Sequence, residues 1–380
     1  MILSYVTHAT IYLHKFVLYH FDRRERCFSI LLFGGYMERA DNGLPFLLRY
    51  ENVAHYRDGG VWILDRRKYP AGEEFVHCTD YRQVAKAITD MVTQSGGPWL
   101  AAALGMVSAA REAHSLSPDA AKQHLERAAN ELCQARPTTS ANMKAHIQRI
   151  LKVAQNAIDT GEDAEANTYA YVMENLEKRY RQSRTMATYT VDLLPDEVTV
   201  LTQCYAETLI GFILLVAGEK GKRISLICPE TRPYLQGARL TASVAHDMGV
   251  PVTVITDNMP AYILSKRMAH VFITAADVVT LDGHVVNKIG TFQIALAAQY
   301  HGVPYYALGT PSIKHPDIST VEIEERSPEE TVHALGIRTT KEGVKGYYPA
   351  FDITPPHLIS AVITPRGVFL PRDLKRYFED

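Results

Sequence analysis

From Pro195 onwards the chain alternates short, almost continuously apolar runs with helical ones, and this alternation restricts the fold more than any other feature. Strand-like runs fall at 198–202, 224–228, 252–256, 271–275 and 303–308. Helical periodicity falls at 205–219, 237–248, 260–268, 287–301 and 355–362. A strand that is apolar on both faces must be covered on both, and short joints to helices supply that cover in a parallel sheet. The expected class is α/β, with a doubly wound, Rossmann-like parallel-sheet domain over residues 194–380.

The preceding half reads differently. Segments 45–50 and 60–64 are strand-like, and 81–93 places Val84, Ala87, Ile88, Met91 and Val92 on one helical face. Ser95-Gly96-Gly97-Pro98 breaks the pattern before a small-residue helix over 99–114. Ser117 and Pro118 open a third helix, residues 136–140 interrupt it, and amphipathic helices follow from 141 to about 190. Residues 37–193 are thus expected to form a mixed, mostly helical domain. Residues 1–36 have a mixed apolar and basic composition; they are expected to be an extension, poorly ordered or upstream of a native start at Met37.

Charge and composition narrow the function. Charged residues are 22% of the chain, hydrophobic ones 47%, and the formal net charge is -2, so nothing draws the protein to nucleic acid or anionic lipid. No apolar run reaches the roughly 18 residues of a membrane span, and the N-terminus has neither a basic n-region nor a small-residue cleavage site. Five cysteines, Cys27, Cys78, Cys133, Cys204 and Cys228, are scattered without a C-x-x-C pair. That pattern suits a reducing cytoplasm and gives neither a disulfide framework nor a structural metal site.

In a doubly wound sheet, ligands bind beyond the carboxyl ends of the strands. That edge gathers Gln203-Cys204, Glu230-Thr231-Arg232, Asp257-Asn258, Asp277 and Gly309-Thr310. No G-x-G-x-x-G follows the first strand and no G-x-x-x-x-G-K-[ST] occurs, so the ligand is smaller than a dinucleotide or ATP. Cys204 is expected at a strand–helix junction, where free N–H groups favour a thiolate; the alternative is a small buried hydrophobe. Asp277, closing an apolar strand, is expected to be buried and protonated, or else to be a turn residue. Asn287-Lys288 is expected to open a helix and offer one phosphate site, against a solvated lysine beside a cap. Arg136 could bind phosphate, and Gln236 a sugar hydroxyl or a helix end.

The segment 229–241, P-E-T-R-P-Y-L-Q-G-A-R-L-T, closely resembles the E-T-R-P-x-x-Q-G-A-R-L-T motif of methylthioribose-1-phosphate isomerases. Asp277 with N-K-I-G-T at 287–291, I-E-E-R at 323–326 and P-A-F-D-I-T-P at 349–355 extend the likeness, as do L-D-R-R-K-Y-P at 64–70 and A-R-P-T at 135–138. The superfamily also contains ribose-1,5-bisphosphate isomerases and regulatory subunits of the exchange factor for eukaryotic initiation factor 2. The resemblance implies Cys204 and Asp277 as catalytic residues and Arg136, Gln236, Asn287 and Lys288 as substrate contacts. It implies a homodimer and no cofactor or metal. Three positions depart from the family: its R-G-A-P is Ser95-Gly96-Gly97-Pro98, its H-C-N is Gln203-Cys204-Tyr205, and its G-A-D-R is Ala275-Ala276-Asp277-Val278. Ser95, Gly96 and Gly97 therefore stand where a charged contact is lost, with the N–H groups of the two glycines left to meet a phosphate.

The expected reaction is conversion of a 5-modified ribose 1-phosphate to the ribulose 1-phosphate, by proton transfer or by hydride shift. The alternatives are a related isomerase acting on another pentose phosphate, or a non-catalytic sugar-phosphate or nucleotide sensor.

Overall fold

The computed structural model describes residues 9–14, 17–22, 27–32, 35–135 and 140–379, with side chains from residue 38 onwards apart from 140–142. Two compact units are present: residues 1–43, 49–68 and 72–181 form the first, and 44–48, 69–71 and 182–380 the second.

In the first unit, Ala9–His14 (β1), Val17–Asp22 (β2), Cys27–Leu32 (β3) and Gly35–Met37 (β4) pair in sequence as an antiparallel meander. Segment 45–50, expected as a strand, instead holds a 3-10 turn at Phe46–Leu48 (in the second unit) and the single helical turn Tyr50–Val53 (α1). Tyr50 explains the change: its backbone N–H donates to Asp41 Oδ2 at 3.0 Å, so it is a turn-end donor rather than a ladder donor. A second antiparallel sheet follows, from Ala54–Arg57 (β5), Gly60–Leu64 (β6) and Phe75–Cys78 (β7). Helices Tyr81–Thr89 (α2), Gly97–Glu112 (α3), Pro118–Gln134 (α4) and Ser140–Thr160 (α5) pack against one another. Asp80 caps α2 by accepting from the Gln83 N–H at 2.9 Å. From Leu100 to Ala110 every residue of α3 is buried, as a helix apolar all round requires. The 29-residue helix Ala164–Asp192 (α6) follows; its residues to 181 belong to this unit and the rest to the second.

The second unit carries the parallel sheet read from the sequence. Its strands are Glu197–Leu201 (β8), Arg223–Pro229 (β9), Val252–Ile255 (β10), Val271–Ala275 (β11), Tyr305–Leu308 (β14), Ala361–Thr364 (β18) and Gly367–Phe369 (β19), in the order β10-β9-β8-β11-β14-β18-β19. All pairings are parallel except β18 with β19. Helices Thr208–Glu219 (α7), Ala242–Asp247 (α8), Pro260–Ser265 (α9) and Thr291–Tyr300 (α10) alternate with the strands, α8 being entered through a π turn at Gly237–Thr241. A smaller antiparallel sheet joins Val278–Val279 (β12), Val285–Lys288 (β13) and Phe351–Thr354 (β17). One-turn helix Glu329–Val332 (α11) leads into a short hairpin, His333–Ala334 (β15) with Ile337–Arg338 (β16). Phe272, Ile294, Ala295, Ala307 and Val362 form the centre of the core.

Strand order reverses between β8 and β11, which lie side by side with Val271 opposite Val200. Chain direction carries β9 and β10 to one side of β8 and β14 and β18 to the other, so the crevice of a doubly wound sheet opens where β8 and β11 end.

Three expected helices are corrected. The run 355–362 becomes a 3-10 turn, Pro356–Leu358, followed by β18; paired prolines stop a helix, and Val362, Ile363 and Thr364 are β-branched. Asn287 and Lys288 end β13, and helix α10 starts only at Thr291, after Gly290 at a φ of 102°. Helix α7 starts at Thr208 rather than at 205.

Gly237 is the position least able to accept a side chain. A Cβ there would lie 1.8 Å from the Pro229 carbonyl oxygen and 3.0 Å from Thr231 Oγ1. Both groups are held by the end of β9, so relief requires backbone movement. Gly237→Ala is expected to cost about 3 kcal/mol, the upper part of the range for overpacking, read by denaturant unfolding. A variant as stable as its parent would show that the turn relaxes freely.

Candidate active site

Beyond β8 the chain runs through buried Thr202 and Gln203 to Cys204, which adopts a φ of 63°. A non-glycine residue in this region carries a conformational cost, and two hydroxyl contacts hold it. The Cys204 N–H donates to Thr231 Oγ1 at 3.1 Å, and Thr241 Oγ1 donates to the Cys204 carbonyl at 2.6 Å. Thr231 Oγ1 also lies 3.2 Å from the Pro229 carbonyl, which it can donate to. Thr231 is itself left-handed, at 63°. Asp257, beyond β10, fixes it: its two carboxylate oxygens accept the Thr231 and Arg232 N–H groups, each at 2.7 Å.

Cys204 stands four residues before α7, not on its first turn, so the expected dipole-stabilised thiolate is corrected. Burial pushes the thiol up from its ordinary range, and the negative charge of Asp277 adds to that. Lys288, the Tyr205 N–H and Arg326 pull the other way without reversing it. The thiol is free and starts protonated. Asp277 follows β11 across the crevice, and its N–H donates to the Val286 carbonyl at 2.9 Å. Its side chain is exposed rather than buried, because the apolar run ends at Ala275 and Asp277 lies past the edge of the sheet.

Lys288 and Asn287 reach the site from β13, whose register sets Lys288 opposite Phe351 and Asn287 opposite Asp352. Lys288 is only 4% exposed. Its Nζ donates to the Tyr348 hydroxyl at 3.2 Å and lies 5.1 Å from the centre of the Phe351 ring, a favourable cation–π placement. Asn287, also buried, donates from Nδ2 to Thr291 Oγ1 at 3.0 Å, and that hydroxyl donates to the Lys288 carbonyl at 2.7 Å. Arg326 pairs with Glu324 at 3.0 Å and sits 5.6 Å from the Phe351 ring centre. Gln236, just before the π turn, is 5% exposed, and its Oε1 accepts no hydrogen bond from the described residues.

Two amides at the start of α10 are already engaged by a side chain. Asp352 accepts the Gly290 N–H at 2.7 Å and the Phe292 N–H at 3.1 Å. Burial pushes its carboxyl up to about 6 in spite of those donors and of nearby Lys288. Asn287 and Lys288, expected at a helix start, thus lie on a strand, with the Arg326 cation on a loop beside Lys288.

In the first unit, Ser95 is exposed at a φ of 57° and Gly97 opens α3. The Gly97 N–H donates to the Gln94 carbonyl at 3.1 Å, so it is already engaged, contrary to expectation. Fully buried Arg66 donates from Nη1 to the same carbonyl at 2.5 Å. Gly96 lies between them, half-buried. Arg136 lies outside the described residues.

The structure thus brings Cys204, Asp277 and Lys288 within electrostatic reach of one another, with Asn287 beside Lys288. Sequence reading missed Arg326, Tyr348 and Asp352 as site residues. Two of them lie inside segments already recognised as motifs, 323–326 and 349–355. Among the described residues no three His, Cys, Asp or Glu side chains converge as a metal would need, and no helix is long and apolar enough to cross a membrane.

A parallel sheet with a thiol, an acid and two neighbouring cations at its switch point defines an α/β protein. Residues 94–371 match the Initiation factor 2 subunit family, and the chain belongs to that family. Its relatives include the methylthioribose-1-phosphate isomerase of Desulforamulus reducens, 37% identical over 84% of this chain and 96% of that protein. The same enzyme of Pelotomaculum thermopropionicum is 36% identical over 83% and 89%. Among solved structures, 5-methylthioribose 1-phosphate isomerase from Pyrococcus horikoshii is similar with a TM-score of 0.77 and 28% identity, covering 90% of this chain and 97% of that one. Subunit delta of translation initiation factor eIF-2B from A. fulgidus gives 0.73 and 33%, over 85% and 96%.

Asp352 offers a test by pH. With its carboxyl raised from 3.8 to about 6 in the folded chain, the proton is held more tightly folded than unfolded. That stability is present below pH 3.8 and is lost as pH rises through 6. The difference in melting temperature between wild type and Asp352→Asn is therefore expected to fall, wild type losing ground, as the pH rises from about 3.5 to about 7. A constant difference would show that the carboxyl is not held up by its surroundings.

Proposed function

We propose that this chain converts a 5-modified ribose 1-phosphate, such as 5-methylthioribose 1-phosphate, to the corresponding ribulose 1-phosphate. Its curated relatives are aldose–ketose isomerases by name over most of their length, and the chain is an enzyme of that type. The observation that carries the substrate reading is the pairing at the switch point: Cys204 after β8 and Asp277 after β11 interact across adjacent strands, with Lys288 and Arg326 facing the thiol.

The chemistry follows from the substrate. An aldose 1-phosphate is locked as a ring because its anomeric oxygen bears the phosphate. Opening it breaks the bond from C1 to the ring oxygen, which must gain a proton, while C2 loses one to leave an enol phosphate. A proton then returns to C1 while the C2 enol hydroxyl gives up its own as the ketone forms, which recharges the group that protonated the ring oxygen and completes the balance. Cys204, whose thiol burial pushes up, is the donor to the ring oxygen, and Asp277, facing it from beyond the adjacent strand, accepts the proton from C2. Lys288, Asn287 and Gln236 contact the phosphate and hydroxyls, giving binding energy remote from the reacting carbons. Arg136 and the Ser95-Gly96-Gly97 loop remain substrate contacts by resemblance, and the chain acts as a homodimer.

A panel of pentose 1-phosphates, assayed for ketose formation, tests the reading. The 5-methylthio compound is expected to turn over, Cys204→Ser and Asp277→Asn to lose most of kcat while staying folded, and Lys288→Ala and Arg136→Ala each to raise KM. A charge-assisted phosphate contact is worth about 1.5–3 kcal/mol, or roughly 10- to 100-fold. Near-wild-type turnover in Cys204→Ser would make the thiol structural. A wild type that binds these phosphates without turning any over would be a sensor instead.

A further inference from the structure

Tyr348 sits just before β17 and is 3% exposed. Its backbone carbonyl accepts the Arg326 N–H at 2.9 Å, and the neighbouring Glu325 bridges to Pro349, so the segment at 324–326 is held against the one carrying the phenol. The Tyr348 hydroxyl accepts from Lys288 Nζ at 3.2 Å. The Arg326 side chain reaches the same phenol, and the Cys204 sulfur faces it. Tyr234 packs edge-on against the ring, with centres 6.2 Å apart. Lys288 lies 5.6 Å from the Tyr348 ring centre and both cations lie over Phe351.

Two like charges crowded into one buried corner repel; Glu324 offsets part of the Arg326 charge, and an oxygen and ring faces help hold the two cations together. We infer that Tyr348 is a positioning residue: its phenol oxygen aims the Lys288 ammonium and the Arg326 guanidinium at an anionic oxygen of the ligand beside Cys204. This rests on the proposed sugar-phosphate reading and adds to it a residue that touches the cations rather than the reacting carbons. Burial pushes the phenol up, and the Arg326 guanidinium pulls it down without reversing that, so the hydroxyl keeps its proton. Its own O–H remains to donate.

Tyr348→Phe keeps both ring faces and removes only the oxygen. KM for the pentose 1-phosphate is expected to rise about tenfold, the size of one charge-assisted hydrogen bond, with kcat within about twofold, since the interaction is as strong in the ground state as in the transition state. Competitive inhibition by inorganic phosphate should weaken by the same factor. In a Lys288→Met background the same change should have little further effect, because the two residues act as one unit. An unchanged KM and phosphate affinity overturns the inference, as does a loss confined to kcat or a full multiplicative effect in the Lys288→Met background. If wild type turns over no pentose 1-phosphate, the isomerase reading fails, and calorimetry with inorganic phosphate on wild type and Tyr348→Phe decides the role of Tyr348 alone. A wild type that also fails to bind phosphate overturns both.

Discussion

The hydroxyl of Thr231 accepts the Cys204 N–H, and the shape of the whole sheet edge depends on that contact. Thr231 is in a left-handed conformation, so its side chain turns back towards β8 instead of following β9 outward. Asp257 sustains that conformation by accepting two successive N–H groups from the next loop. Three strands are thereby tied at their carboxyl ends: β10 through Asp257, β9 through Thr231 and β8 through Cys204. The strain of two non-glycine residues at positive φ, about 1–3 kcal/mol each, is offset by buried bonds to groups that would otherwise lack partners. The thiol is fixed before any ligand arrives.

Much of the second unit was legible because parallel strands covered on both faces have no polar alternation to disguise them. Runs such as Val271-Phe272-Ile273 can be little else once helices flank them. The misreadings share a cause. Val362 and Ile363, Asn287 and Lys288, and Tyr205 all lie where a short run can serve either period, and pairing with a strand remote in sequence decides. Lys288 is a strand residue because β17, more than sixty positions on, lies beside it.

The site was legible in part for the same reason. A rule about strand ends nominates Cys204 and Asp277 without reference to tertiary detail, but it says nothing of their surroundings. The expected thiolate and buried acid came from generic position, whereas the actual environment buries the sulfur and leaves the carboxylate outside. Arg326, Tyr348 and Asp352 belong to a stretch after β14 with little periodicity. Their importance arises from where distant segments meet, and only the motifs around them hinted at it.

Asp352 closes the start of α10, and this changes what kind of recognition the sheet edge can evolve. Proteins that seat phosphate on main-chain amides depend on a backbone trace, which a single codon seldom alters without harm. Here two of those amides are already engaged by a carboxylate, so on the proposed reading an incoming anion is met chiefly by side chains. Side chains are exchangeable one at a time. A family built this way can lose one arginine from a loop, keep its sheet and its thiol, and still be retuned to a neighbouring sugar by another single replacement. The cap on one helix thus makes the ligand preference of the fold easy to inherit in variation and hard to read from architecture alone.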